Sequence, residues 1–228
     1  MNQHFSVILP VLNEAPVINR TLARISAVSG EADCEIIVVD GSPGGETLRA
    51  IESKEVQTLI AGKGRARQMN AGAAAARGEI LIFLHADTAL PKNAFGAISA
   101  ALHKGDFIAG AFDLSIGSDK PAFRLIERAA SFRSRVTRIP YGDQAIFIRK
   151  QYFDAIGGFS EIPLMEDVEL MRRIKKRGDL IRILPDKVQT SPRRWEREGI
   201  LFCTLRNWTL ASLYLLGVRP ERLAKFYR

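Results

Sequence analysis

Short apolar runs alternate with amphipathic stretches through the first hundred residues. Phe5–Val11 reads as a buried strand, and Glu35–Asp40 as a second, rich in β-branched residues and ending on a carboxylate. Between them Pro16 opens a helix with Val17, Ile18, Leu22, Ile25 and Val28 on one face. After Asp40 come a turn from Gly41 to Gly45, a short helix, and a strand around Val56–Ile60. Gly64–Ala76 is a predicted helix, favoured by the alanine run from Ala73. Glu79–Leu84 is the next strand, and Pro91 marks the first turn of another helix. The second half is less regular. It predicts strands at Phe107–Ile116, Gln144–Arg149 and Leu180–Leu184, a basic helix at Ala122–Arg135, and a helix at Glu166–Arg177. The last forty residues read as helical.

This alternation predicts an α/β fold with a mostly parallel sheet flanked by helices, because continuous apolar runs are what strands buried on both faces look like. Open sheets of this type bind ligands beyond the carboxyl ends of their strands. Asn13-Glu14, Asp40 and His85-Ala86-Asp87 all fall at such ends.

Composition narrows the partner more than the fold. The 228 residues are 46% hydrophobic and 25% charged, an ordinary globular balance. The net charge of +8 is unevenly spread: residues 1–114 carry −2 and residues 115–228 carry +10. Arginine supplies 23 of the 33 basic residues, and its planar fork of donors suits phosphate. Nucleic acid, a membrane surface and a nucleotide all remain open on charge alone. Two cysteines make neither a disulfide framework nor a metal cluster. Phe5–Leu12 is too short for a signal peptide and has no basic stretch before it, so a cytoplasmic chain is expected.

Four short motifs carry candidate chemistry. Glu14, after the first strand, can accept hydrogen bonds from a base or ribose, or simply head a helix. Asp40 precedes a glycine-rich turn that would let a nucleotide approach the backbone. His85 and Asp87 place two potential ligands at a strand tip, enough for a divalent cation that completes its shell with phosphate and water. Glu166 and Asp167 head a helix, where the dipole favours acids and where one of them could act as a general base.

In this order, Pro10-Val11-Leu12-Asn13-Glu14, Asp40-Gly41-Ser42, the Gly62–Gly72 segment, His85-Ala86-Asp87 and Glu166-Asp167 resemble the family 2 glycosyltransferases of the GT-A fold. The likeness spans about residues 4–195 and comes nearest to a short bacterial subgroup often labelled radical-SAM/selenodomain-associated transferases. The resemblance implies a GT-A domain over 1–195 with a helical C-terminal extension over 196–228. It implies nucleotide contacts at Pro10, Asn13, Glu14, Asp40, Gly64, Arg65 and Asn70, and a metal at Asp87 and His85. The family pattern is Asp-x-Asp, so His85 here replaces an acid and shifts preference towards Mn²⁺ over Mg²⁺. Asp167 is implied as the base, supported by Glu166. Asp143 and Gln144 are implied on the acceptor side, and Arg193, Arg194 and Trp195 at the diphosphate and acceptor. The implied reaction is inverting transfer from a nucleoside-diphosphate sugar, with Mg²⁺ or Mn²⁺, to an unknown acceptor that could be lipid-linked.

Ile200–Val218 holds nineteen residues with one charge, Arg206. An Arg and Asn207 near its middle argue against a spanning helix. Packing on the domain, a homodimer contact, and an interfacial helix on the inner face of a membrane all remain open. Two other functions compete with glycosyl transfer. Nucleic-acid binding would suit the charge, but no binding motif is present. A sugar-nucleotide nucleotidyltransferase would carry a glycine-rich basic loop where this chain has Asn13-Glu14.

Overall fold

The computed structural model describes residues 3–103 and 107–227. The expected limits at residues 1 and 228 lie outside the described residues. In chain order the elements are β1 (Phe5–Val11), α1 (Ile18–Ser29), β2 (Cys34–Asp40), α2 (Glu46–Arg49), β3 (Gln57–Ile60), α3 (Arg65–Ala75), β4 (Ile80–Phe83), β5 (Thr88–Ala89) and α4 (Ala94–His103). They continue with β6 (Phe107–Ile116), α5 (Pro121–Thr137), β7 (Ile146–Arg149), α6 (Lys150–Ala155), α7 (Glu166–Lys176), β8 (Leu180–Thr190), α8 (Arg193–Glu198), α9 (Ile200–Leu215) and α10 (Pro220–Leu223).

The strands form one sheet in the order β3-β2-β1-β4-β7-β6-β8-β5. Side chains alternate across it, as the pleat requires. Val7, Leu9, Val38, Ile80 and Ile82 face a core shared with α1 and α4. Ile8, Ile37, Val39, Leu81 and Phe83 face a second core shared with α3, α6 and α7. Both faces are therefore buried, which explains the unbroken apolar runs in β1, β2 and β4.

Pairing is mostly parallel, with antiparallel contacts where β7 joins β4 and β6 and where β5 joins β8. Two of these contacts set the functional geometry. Because β7 runs against β4, with Phe83 opposite Ile146, the 3₁₀ turn Gly142–Gln144 leading into β7 lies beside the exit of β4. In addition, β8 does not stop at Leu184. It runs on to Thr190, which pairs with Thr88, and Ser191 N–H then donates to Asp87 O at 3.1 Å. The polar tail Asp186-Lys187-Val188-Gln189 hides this extension from a hydropathy reading; pairing along β6 sustains it.

In the C-terminal helices Leu201, Leu205, Trp208 and Leu216 face outward. Cys203, Leu210 and Ala211 face inward, and Leu210 joins Leu164 and Leu223 in a small apolar cluster. No helix among the described residues is long and apolar enough to cross a membrane.

Candidate functional site

The carboxyl ends of β1 and β4, the start of α3, the turn before β7, the head of α7 and the C-terminal helices converge on a cleft of about 500 Å³. From the first half of the chain it receives Pro10, Glu14, Gly64, Arg65, His85 and Asp87. From the second it receives Asp143, Glu166, Asp167, Arg194 and Trp195.

Part of the lining is cationic. Gly64 takes φ 137°, a value open to glycine, and caps α3 with no side-chain acceptor. The first N–H groups of the helix thus open towards the cleft, an arrangement that attracts anions. Against the desolvation that would lower it, Tyr227, Glu166 and Asp167 hold the Arg65 guanidinium above its ordinary pKa. Arg194 donates to the Tyr227 hydroxyl and lies 4.3 Å from the centre of its ring.

The acids of the cleft lie within the field of Arg65. Asp167 Oδ2 accepts the Gly142 N–H at 2.6 Å. A Cβ on Gly142 would stand 3.1 Å from His85 Nε2 and 3.4 Å from Asp167 Oδ2, so the missing side chain is what lets these two groups approach. Burial and the adjacent Asp167 push Glu166 up to about 7 from 4.5, although Arg65 opposes the shift. Burial, then Asp167 and Asp87, push Asp143 up to about 6 from 3.8, against Arg133 and Arg65. His85 is pushed down to about 3 by burial, Arg65 and Arg194, so its imidazole is neutral at pH 7 and keeps a lone pair. Among the described residues, three of the four non-glycine residues with positive φ flank this region: Asn13 at 58°, Ala145 at 49° and Met165 at 69°. Such strain gathers at functional sites.

A family model described as Glycosyl transferase family 2 matches residues 6–161. The chain belongs to glycosyl transferase family 2. A curated relative, "Probable glycosyltransferase YdaM" of Bacillus subtilis (strain 168), is 26% identical over 250 residues; the match covers 98% of this chain and 58% of the relative. The chain thus spans little more than half the length of that protein. A solved structure, "Mannosyltransferase PcManGT from Pyrobaculum calidifontis in complex with GDP-Man and Mn2+", superposes with a TM-score of 0.71 at 19% identity, covering 99% of this chain and 68% of that one. The fold is therefore GT-A. The family match stops before Glu166 and Asp167, which only the three-dimensional arrangement brings into the cleft.

Within this glycosyl transferase family 2 domain, several expected site residues serve other contacts. Asp40 is fully buried, and its two oxygens accept the N–H groups of Ser42 (2.8 Å) and Thr47 (3.0 Å). Thr47 Oγ1 accepts the Glu14 N–H in turn, so Asp40 shapes the loop that holds Glu14 and does not line the cleft. Asn70 turns away from the cleft. Its side chain donates to Phe159 O and accepts Phe159 N–H, pinning the Gly157-Gly158-Phe159 turn. Gln144 is buried and knits Ser134, Tyr141 and Phe112 together. Asn13 is exposed at the apex of its loop. Arg193 lies outside the lining but pairs with both Glu14 oxygens at 3.1 Å and approaches Asp87 Oδ2 at 3.9 Å. Trp195 stands edge-on to Phe123 and donates to Thr204 Oγ1, leaving only part of its surface to the cleft.

Sequence reasoning missed Gln68, whose amide donates to Val11 O and Val39 O and so ties two strand ends beneath the cleft. It also missed Tyr141, Asn207, Leu210 and Tyr227 in the lining. Tyr141 adjoins the Gly142-Asp143 motif and could have been included on that ground. Nothing local marks Tyr227, which reaches the cleft only through the packing of α10.

Proposed function

We propose that the chain transfers a glycosyl group, with inversion, from a nucleoside-diphosphate sugar to an acceptor hydroxyl or phosphate. The observation that carries this reading is the meeting, in one cleft, of cationic groups (the α3 N-terminus, Arg65, Arg194) with acidic ones (Asp167 with Glu166 and Asp143). The first suits a diphosphate leaving group and the second a proton acceptor. Glu14 suits the nucleoside, and its exposed pair with Arg193 is cheap to exchange for a ligand, since such pairs are worth about 0–1 kcal/mol. The GDP-Man and Mn²⁺ named for the similarly folded mannosyltransferase support a nucleotide-sugar donor and a divalent cation.

The residues present fit a cation. Asp87 offers a partly exposed carboxylate whose nearest charged partner among the described residues is Arg193 at 3.9 Å, and neutral His85 offers an imidazole nitrogen. No group of three or more His, Cys, Asp or Glu with ligand spacing occurs among the described residues, which suits a cation completed by phosphate and water. When bound there, it would offset charge on the departing diphosphate.

Asp167 takes the proton from the acceptor hydroxyl as that oxygen forms its bond to the anomeric carbon. The bond from that carbon to the diphosphate breaks, and Arg65 and Arg194 receive the developing charge. The Gly142 N–H fixes the orientation of Asp167. Glu166, its carboxyl pushed up by burial and by Asp167, carries less than a full negative charge beside it at neutral pH. A phosphate acceptor would need no proton removed. A thermal-shift panel of nucleoside diphosphates and their sugars, each with Mg²⁺ or Mn²⁺, tests the reading. Stabilisation by one nucleotide series with cation is the expected result, and no cation-dependent shift from any member would refute it.

A further inference from the structure

Helix α9 has its polarity turned inside out. Its one charged residue, Arg206, is only 10% exposed and pairs with Glu198 at 2.6 Å. Its outward surface, continued by the residue after its end, carries Leu201, Phe202, Leu205, Trp208, Leu215 and Leu216, which are 46–81% exposed. Thr209 and Ser212 are the polar residues among them, and no charge interrupts the face. Isolated exposed leucines are ordinary; six large apolar side chains on one uncharged face are not. Exposed cations outnumber the one exposed acid, Glu221, where the helix ends: Arg219, Arg222 and Lys225, with Phe226 69% exposed beside them. Helix α5 repeats the combination, with Leu125, Phe132 and Val136 outward and Arg124 and Arg128 alongside. Trp195 joins the two helices, standing edge-on to Phe123 of α5 and bonded to Thr204 of α9.

We infer that the outer face of α9 docks on an anionic lipid bilayer, its apolar side chains entering the interface and the neighbouring cations meeting lipid phosphates. Charge favours this partner over a second copy of the chain. Arg219, Arg222 and Lys225 flank the face, so pairing two copies through it would bring like charges together, whereas anionic headgroups neutralise them. The helix is too short to span and has the composition of one that lies in the interface plane. The opposite face of α9 supplies Asn207 and Leu210 to the cleft. Docking would therefore hold the cleft about one helix diameter, roughly 10 Å, from the headgroups. Lipid binding is independent of the transfer chemistry and is measured on its own.

The test is co-sedimentation of the full chain with vesicles of phosphatidylcholine alone, or of phosphatidylcholine mixed with phosphatidylglycerol. The wild type is expected on the mixed vesicles, with little on the neutral ones and release as salt rises. The double variant L205E/W208E is expected to bind at least about tenfold more weakly while its nucleotide-dependent thermal shift is unchanged. The charge variant R222E/K225E, which leaves the apolar face intact, should also lose binding to mixed vesicles. It keeps the test decisive if the first variant misfolds. The inference is overturned by a wild type that stays in the supernatant with mixed vesicles, or by either folded variant binding like wild type. It is equally overturned by a wild-type dimer that L205E/W208E dissociates without any vesicle binding.

Discussion

Asp40 and Glu166 are both almost out of solvent, at the end of β2 and the head of α7, yet their surroundings differ sharply. Asp40 meets two backbone N–H groups, at 2.8 and 3.0 Å. Glu166 meets Asp167 as its chain neighbour, and burial pushes it up to about 7. Asp143, in the turn before β7, shares that condition at about 6. Backbone donors turn a buried carboxylate into structure, because they replace the water it lost. At Glu166 burial and Asp167 outweigh Arg65 and a backbone donor, and the carboxyl group is left poised to exchange a proton. The strand-end region therefore uses its buried acid to shape a loop; in the proposed mechanism the region after β6 supplies the base, Asp167, itself oriented by the N–H groups of Gly142 (2.6 Å) and Val168 (2.7 Å).

Breaking the second region should have the larger effect. Asp167→Asn keeps an oxygen for the Gly142 N–H but no base, and transfer should fall by roughly 10²–10⁴-fold with nucleotide affinity retained. Steady-state rates paired with thermal shifts check both halves of that expectation. In the first region Asp40→Ala should act on stability. Two buried N–H groups lose a charged acceptor, worth about 3 kcal/mol together, or roughly 6–12 °C in Tm for a chain of this size. An Asp40→Ala protein that melts like wild type would show that the carboxylate shapes nothing.

Two smaller changes sharpen the contrast. Gly142→Ala would press its Cβ against His85 and Asp167, and a displacement of a few tenths of an ångström should cost about tenfold in rate with little change in Tm. Glu166→Gln tests linkage. The pKa of Glu166 is raised in the folded state, so its protonated form is the one that folding favours. That contribution is present below about 4.5 and is lost as pH rises through about 7. The variant should therefore melt a few degrees above wild type, roughly, at pH 8 and almost level with it near pH 4.5. A constant difference at all pH values would contradict the raised pKa.

Much of the first region was legible because its signals are local. β1, β2, β4 and α3 follow from apolar runs and an alanine tract, and their ends place Glu14, Gly64, Arg65, His85 and Asp87 at one edge of the sheet. The second region depends on partners distant in sequence. β8 extends through a polar stretch because β6 pairs with it, and that extension delivers residues 191–195 to Asp87. Asp40, Asn70 and Gln144 carried the right residue types for a site, but a sequence does not say whether a carboxylate or amide will be consumed by backbone N–H and C=O groups. The outward turn of α9 was illegible for a similar reason: Arg206 is drawn inward by Glu198, so the apolar residues are left outside.

Calorimetric titration of a nucleoside diphosphate with Mn²⁺ into wild type, Asp87→Asn and Asp167→Asn tests the division of labour most directly. Wild type and Asp167→Asn should bind alike, and Asp87→Asn should lose the cation-dependent part of the affinity. Collapse of binding in Asp167→Asn, or undiminished cation-dependent binding in Asp87→Asn, would contradict the assignment of donor binding and proton transfer to separate regions.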